Sequence, residues 1–399
     1  MRPIVVPRLL RAAAAAAILL LPAYAEAAEE CPCRYFWVVR DDLSSPAGID
    51  SLVEKAAMAG ANGLMVQVVG RGEAYYSSSI LPRADFDEGF DPLAYLIARA
   101  KPRGMEVHAW MNAFLVWSSP QQPSDPAHVW RACPDWFMTD RFGRSTREYA
   151  PAECEAAGIV GATLSPSLPE VREFLAAIAV EIATGYDVDG IHLDYVRYPN
   201  PSFGFEPAAV GAFALETGMD PLDLYRSGSR PEELDSLWMA WRTRQVTLTV
   251  STIRSALRAE CPGTLLSAAV MADPVEAPVQ YACDWRAWLE EGLVDFACTM
   301  AYTTNSARAM ELAVLGTASS AGRVVHGIGV FNQPTESALP AAAEALRRGA
   351  RGICVFSLGT LPPGDSWRLL NLWGETERPV HGIDVSLLHR VAGATEAGL

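Results

Sequence analysis

The segment with the most chemical content runs Asp187-Val188-Asp189-Gly190-Ile191-His192-Leu193-Asp194-Tyr195-Val196-Arg197-Tyr198-Pro199. Side chains alternate along a strand, so His192 and Asp194 share one face while Ile191, Leu193 and Tyr195 take the other. A charged group pointing into an apolar helix layer is costly, so the His192/Asp194 face must line an interior. A carboxylate at the carboxyl end of such a strand is placed for acid–base or nucleophilic work. Arg197, close by, is placed to keep it ionised at neutral pH. Asp187 and Asp189 lie at the strand's entrance, where capping a turn accounts for them.

What positions Asp194 is a repeated rhythm. Short apolar, β-rich runs recur at Tyr35–Arg40, Gly63–Val69, Glu106–Phe114, Gly190–Arg197, Leu265–Asp273, Asp295–Thr303, Val324–Phe331 and Gly352–Ser357. Helical segments separate them. Asp91-Pro92 sets a capping carboxylate before a first-turn proline, with Leu93, Leu96, Ile97 and Ala100 on one face and Gly104 closing the helix. Pro169 opens another, in which Val171, Phe174, Leu175, Ile178 and Ile182 keep a helical period before Gly185. Eight alternating units predict an α/β fold, a parallel (β/α)8 TIM barrel. An open doubly wound sheet would carry a phosphate-binding glycine fingerprint after its first strand, and none is there. The connections after strands 3 and 4, residues 115–166 and 199–232, exceed the ~15 residues usual for structureless loops and emerge on the face where barrels carry their sites.

The run Asp189–Pro199 resembles the central signature of the family 10-like glycosyl hydrolases, exported bacterial barrel proteins. Further motifs follow in the family's order over roughly residues 34–361. They are Gln67-Val68-Val69-Gly70-Arg71-Gly72-Glu73-Ala74-Tyr75-Tyr76, His108-Ala109-Trp110-Met111-Asn112, Ser267-Ala268-Ala269-Val270, Asp295-Phe296 with Met300-Ala301-Tyr302, and Gly327-Ile328-Gly329-Val330. Three positions depart from the family pattern: Val69 replaces a usual Arg, Glu73 a usual Asp, and Ala113 a common Pro. The resemblance implies a barrel that hydrolyses bacterial polysaccharide, with peptidoglycan glycan strands stripped of their stem peptides as the expected substrate.

Glycoside cleavage ordinarily needs two carboxyl groups, one to protonate the leaving oxygen and one as nucleophile or base. Asp194 is the expected ionised partner. Asp273, ending the fifth strand, is the expected proton donor, with Glu73 its rival. The competing reading of Asp273 is a cap ahead of Pro274. Sugar binding calls for flat apolar faces and fixed hydrogen-bond groups. Gln67, Arg71, His108, Trp110, Asn112, His192, Arg197, Tyr198 and Tyr302 are the expected substrate contacts, with Glu73 among them. Trp117, Trp130 and Trp136 in the third connection either line an extended groove or pack that connection onto the barrel.

Composition narrows the alternatives. With 47 acidic against 32 basic residues, a net charge of −15 does not suit a nucleic-acid partner. His108, His192 and Asp194 would make a sparse metal site, but the six histidines include no His-x-His pair, so neither metal nor organic cofactor is expected. A glycan-binding barrel without chemistry is the other rival, since a fold does not guarantee a reaction. Serine-hydrolase elbows and P-loops are missing.

Arg2, Arg8 and Arg11, the apolar run Ala12–Leu21 and the small-residue sites Ala23-Tyr24-Ala25 and Ala25-Glu26-Ala27 form a secretory signal pattern. The expected organisation is a signal peptide over 1–27, the barrel over 28–372 and a tail over 373–399, with the mature protein secreted or periplasmic and without a later membrane span. Eight cysteines in an oxidising compartment invite disulfides, and Cys133 with Cys154 is the expected pair. Cys298 and Cys354, inside apolar strands, are expected to be buried free thiols.

Overall fold

The structure, a computed structural model, describes residues 32–376 except 87–88, 227–231, 319 and 321. The signal pattern over 1–27 lies outside the described residues. Eight parallel strands form the barrel: β1 (Cys33–Val38), β2 (Gly63–Gly70), β3 (Glu106–Asn112), β4 (Gly190–Asp194), β5 (Leu265–Met271), β6 (Phe296–Met300), β7 (Val324–Gly329) and β8 (Gly352–Phe356), and the short segment Glu73–Ala74 turns back to pair antiparallel with β2. Each pairs with the next, and β1 pairs with both β2 and β8, which closes the barrel. The outer ring is α1 (Pro46–Met58), α2 (Pro92–Ala100), α3 (Pro169–Gly185), α4 (Glu232–Glu260), α5 (Trp285–Glu290), α6 (Ser306–Thr317), α7 (Thr335–Arg347) and α8 (Ser366–Thr376). The fold is the (β/α)8 TIM barrel that the strand rhythm predicts.

All eight predicted strands are present, and most end one to three residues earlier than the apolar runs suggest. The difference matters at Asp273, which lies beyond the end of β5. The Asp91 carboxylate caps α2 through the Ala94 N–H at 2.9 Å, as the Asp-Pro pair predicts. At the chain's far end α8 runs through Thr376, past the expected boundary at 372. Trp373 is buried there and donates its indole N–H to the Ala59 carbonyl at 2.9 Å, so it belongs to the barrel rather than to a tail.

Alternation in β4 works as the sequence requires. Ile191 and Leu193 are fully buried in the layer between sheet and helices, while His192 faces inward. The interior is a separate core of Cys33, Tyr35, Trp37, Met65, Trp110, Phe296, Cys298, Val325 and Cys354. Rings this large fit because glycines stand opposite them. A Cβ on Gly327 would sit 2.9 Å from the Trp37 ring, and one on Gly190 would sit 2.4 Å from Nδ1 of His108. Cys298 and Cys354 are buried free thiols, as expected. The expected Cys133–Cys154 disulfide does not form: both are free, Cys133 just after the short helix Val129–Ala132 and Cys154 within the helix Pro151–Ala157 of the third connection.

The lower rim is held by side chains that precede one strand and accept from the strand before it. Asp189 accepts from the Val107 N–H at 2.7 Å and from Lys101 at 2.8 Å. Asp295 accepts from Leu266 N–H at 2.7 Å and from Arg254 at 2.6 Å. Asp189 is thus structural, as expected, but it acts by bridging to the neighbouring strand rather than by capping a turn. At the upper rim the two long connections are stapled together by buried Glu206, which accepts from the Ser165 hydroxyl, from Ser167 at 3.2 Å and from the Thr139 N–H at 3.3 Å.

Candidate active site

Strands β1 to β6 and β8 enclose a cavity of about 320 Å³ lined by Trp37, Gln67, Trp110, Asn112, Asp194, Ala269, Met300 and Phe356 together with residues of the loops that follow. Asn112 and Asp194 are register partners at the tops of β3 and β4. Gln67 donates from Nε2 to Asn112 Oδ1 at 3.2 Å and accepts at Oε1 from the backbone and guanidinium N–H groups of Arg40, both at 3.3 Å. Both ends of the Gln67 amide are therefore engaged, and its orientation is fixed. The Asn112 NH2 group makes no hydrogen bond among the described residues and is free to donate into the cavity. Gly70 permits this arrangement, since a Cβ there would sit 2.8 Å from the Arg40 side chain.

Aromatic rings form one wall. Tyr302 lies edge-on to Trp37 at 5.9 Å and tilted against Phe356 at 5.3 Å, and Trp110 meets Phe356 edge-on at 6.4 Å. Trp37 is held from below. Its indole N–H donates to Nε2 of His192 at 3.2 Å, and since an indole can only donate, His192 carries its proton on Nδ1 and donates to the Ser267 hydroxyl at 2.8 Å. Complete burial pushes the His192 pKa down to about 3, so the ring is neutral.

Asp194 is 8% exposed and stands alone as a carboxyl group in the lining of this cavity. Burial is the dominant influence and lifts its pKa to about 6; the Tyr195 backbone N–H at 2.7 Å, the Arg197 charge and the nearby Trp110 indole pull the other way without cancelling it. The expectation that Arg197 keeps Asp194 firmly ionised is thus corrected: desolvation outweighs the guanidinium, which is occupied over the rings of Tyr195 at 5.2 Å and Tyr281 at 5.1 Å. A carboxyl group with a pKa near 6 can both give and take a proton close to neutral pH.

Of the residues expected from sequence, Gln67, Arg71, Trp110, Asn112, Asp194, Arg197 and Tyr302 line the cavity. Four others do not. His108 is fully buried lower in the barrel, against Tyr35 and Phe296 and 3.2 Å from Glu106. His192 supports Trp37 from beneath, with both ring nitrogens occupied. Tyr198 turns away under the Arg242 guanidinium and is completely buried. Glu73 sits in a tight turn beyond β2, outside the lining, where burial raises its pKa against the pull of Arg71 and Arg40.

Asp273 is the main correction. It caps the short helix Glu276–Tyr281 through the N–H groups of Val275 at 2.9 Å and Glu276 at 3.1 Å, and it pairs with Arg308 at 2.6 Å. Burial is the largest single influence and pushes its pKa up, but Arg308 and the two N–H donors together outweigh it and hold the pKa below the ordinary carboxylate value, so it is ionised and engaged elsewhere, which unsuits it to donate a proton.

Trp37, Arg40, Tyr195, Met300 and Phe356, with the smaller or loop residues Leu115, Ser118, Val160 and Ala269, also line the cavity without having been anticipated as contacts. Trp37, Met300 and Phe356 were legible in principle, because each occupies an inward position near the top of a predicted strand. Tyr195 was not. Alternation assigns it to the outer face, but its left-handed backbone, φ 51°, breaks the strand after Asp194 and swings the ring into the cavity. Arg71 adopts the same unusual region, φ 56°. Two non-glycine residues in this conformation at one rim are the kind of strain that gathers at functional sites.

Two further cavities adjoin the first. One, of about 360 Å³, shares Leu115, Val160, Tyr195 and Arg197 with it and extends to Asn200, Gln280 and Tyr281. The other, of about 450 Å³, shares Trp117, Ser118 and Val160 and runs into the third connection. Together they make an open groove that leads out of the central cavity, where Asp194 sits, past Val160, which lines all three. Trp117 and Trp130 line it, while Trp136 packs instead on Phe174 at 5.6 Å.

Among solved structures the chain is similar to the glycoside hydrolase domain of PgaB (BpsB) from Bordetella bronchiseptica, with TM-score 0.66 and 16% identity over 86% of this chain and 99% of that one. It is also similar to the catalytic domain of a β-amylase from Paenibacillus polymyxa, with TM-score 0.58 and 12% identity over 86% and 98%. These likenesses concern the fold. The glycosyl hydrolase DigH of Escherichia coli K12 is 26% identical over 308 residues, covering 69% of this chain and 62% of that protein, so the chain spans about three-fifths of that relative's length. The glycosyl hydrolase YngK of Bacillus subtilis is 25% identical over 210 residues, 47% of this chain and 38% of that one. The pattern of the glycosyl hydrolase-like 10 family matches residues 37–337, well over half of the sequence, and the chain belongs to that family.

Proposed function

We propose that this protein is an exported glycoside hydrolase that cuts inside an amino-sugar polysaccharide, with peptidoglycan glycan strands lacking stem peptides as the substrate. The observation that carries the reading is Asp194: a buried carboxyl group with its pKa lifted to about 6, at the top of a barrel strand, in a cavity lined by aromatic rings and amides that opens into a groove. An open groove that continues beyond the catalytic cavity suits an extended chain, which favours internal cleavage. Export rests on the signal pattern of residues 1–27.

With one carboxyl group in the central lining, Asp194 serves as the proton donor. Its proton passes to the glycosidic oxygen as the bond from that oxygen to the anomeric carbon breaks. The nucleophile is the acetamido oxygen of the substrate's own N-acetyl group, which attacks the anomeric carbon and closes a cyclic intermediate. Water then opens the ring and returns a proton to Asp194. Asn112 and Tyr302 line the same cavity and supply polar groups that hold the acetamide.

The test is mass spectrometry of peptide-free glycan strands incubated with the wild-type protein and with Asp194→Asn. Products from the first and none from the second are expected. Equal products from both would remove Asp194 from the mechanism. Binding without products from either would favour the non-catalytic glycan-binding reading, which the missing second carboxyl group supports.

A further inference from the structure

The third connection carries a polar group that nothing in the preceding mechanism uses. Arg147 follows buried Thr146 and lines the cavity of about 450 Å³ beside the central one. Its guanidinium lies over the ring of Trp130 at 4.2 Å and near that of Phe137 at 5.3 Å. Among the described residues it makes no ion pair and no side-chain hydrogen bond, and its Nε is buried without a partner. An arginine held flat on an indole, stripped of part of its water and left without an anion, has already met most of the entropic cost of binding one.

The surroundings point the same way. The protein carries a net charge of −15, yet the lining of the three joined cavities holds four arginines, Arg40, Arg71, Arg147 and Arg197, against two carboxyl groups, Asp194 and Glu155. Glu155 is exposed and forms no ion pair with Arg147 among the described residues. Arg71 also lacks an ion pair and has a buried, unpartnered Nε. Arg40 pairs with Asp41 at 3.6 Å, but an acidic protein that collects arginines along one groove and leaves Arg71 and Arg147 without an ion pair among the described residues is shaped for a negatively charged chain.

Resting on the glycosidase reading for the groove's role, we propose that Arg147, stacked on Trp130, forms a flanking subsite that reads a carboxylate borne by a sugar of the substrate, with the guanidinium fork as the reader and Trp117 and Ser118 as the bridge to the central cavity. The ligand class is therefore an acidic glycan, and a neutral glycan of the same backbone binds the groove more weakly. Guanidinium–carboxylate recognition is planar and bidentate, so lysine at 147 would restore the charge but not the fit.

The experiment measures binding by calorimetry to the Asp194→Asn protein, so that no ligand is consumed. The probes are peptide-free peptidoglycan glycan strands, the same strands with their carboxyl groups reduced to alcohols, and neutral chitin oligosaccharides. The acidic strands should bind about tenfold tighter than the other two, in line with one partly desolvated charge-assisted contact. Adding Arg147→Gln should remove that advantage while leaving affinity for the reduced strands unchanged, and Arg147→Lys should restore only part of it. Equal affinity for acidic and reduced strands would overturn the proposal without needing any substitution at 147. So would an Arg147→Gln protein that weakens on both kinds of strand alike, or the absence of binding to the acidic strands. Tight carboxylate-dependent binding by a wild-type protein that releases no products would instead overturn the glycosidase reading and leave the subsite standing.

Discussion

Trp37 on β1 donates its indole N–H across the barrel to Nε2 of His192 on β4, and this one bond sets both the tautomer of the histidine and the position of a ring in the cavity wall. It explains why His192, on the same face as Asp194, does not enter the site. The expected outcome of Trp37→Phe is a loss of about 1–3 kcal/mol, the cost of leaving a buried acceptor unsatisfied. Denaturant unfolding measures it, and a change below a few tenths of a kcal/mol would show that the bond is not made.

Asp194 links stability to pH. Its folded pKa of about 6 lies above the ordinary aspartate value, so the folded state binds the proton more tightly than the unfolded one. The contribution is fully present below about pH 4 and is lost as pH rises through 6, amounting to about 3 kcal/mol. Asp194→Asn should be more stable than wild type at pH 7.5 and show little of this pH dependence between 4 and 7, read from unfolding midpoints.

The same carboxyl group should shape the rate profile. A proton donor must be protonated in the free enzyme, so kcat/KM on glycan strands should fall as pH rises through about 6. Loss of activity on the acid side of 6, with a plateau above it, would assign Asp194 the role of base instead.

Asp273→Ala provides a contrast. It removes a helix cap and the partner of Arg308, which should cost about 1–2 kcal/mol, while the rate of product release stays within about threefold of wild type. A rate loss of a hundredfold or more, with the fold intact, would restore Asp273 as a catalytic group.

Catalysis through the substrate's own acetamide predicts retention at the anomeric carbon, because two displacements occur there. Proton NMR of the first-formed reducing end reads the anomer directly. Inverted product would require a water held by a second carboxyl group, and Glu73, with its raised pKa, would be the first to replace by Gln.

Much of this architecture was written locally. Eight apolar runs with turn signals between them predict eight strands, since burial on both faces demands such runs wherever they pair. The Asp91-Pro92 cap and the inward face of His192 and Asp194 follow from the periods of helix and strand, which need no knowledge of distant residues. Asp273 shows where this ends. Its apolar run continues past the last paired residue of β5, and only the pairing with β6 decides that the strand stops at Met271. The cysteines of the third connection are a second case, because sequence separation says nothing of whether two thiols meet.

From sequence alone came the barrel, the strand that bears Asp194 and the face on which it points, because these depend on periodicities of two and 3.6 residues. The tertiary structure decided what surrounds that carboxyl group. Tyr195 enters through a backbone conformation that alternation cannot foresee, and Trp37 is set by a partner 155 residues away in the chain. The proton affinity of Asp194 is set by desolvation among residues from seven strands, which outweighs the nearby arginine that the sequence puts first. Desolvation is a property of an enclosed volume, and no stretch of chain encloses one by itself.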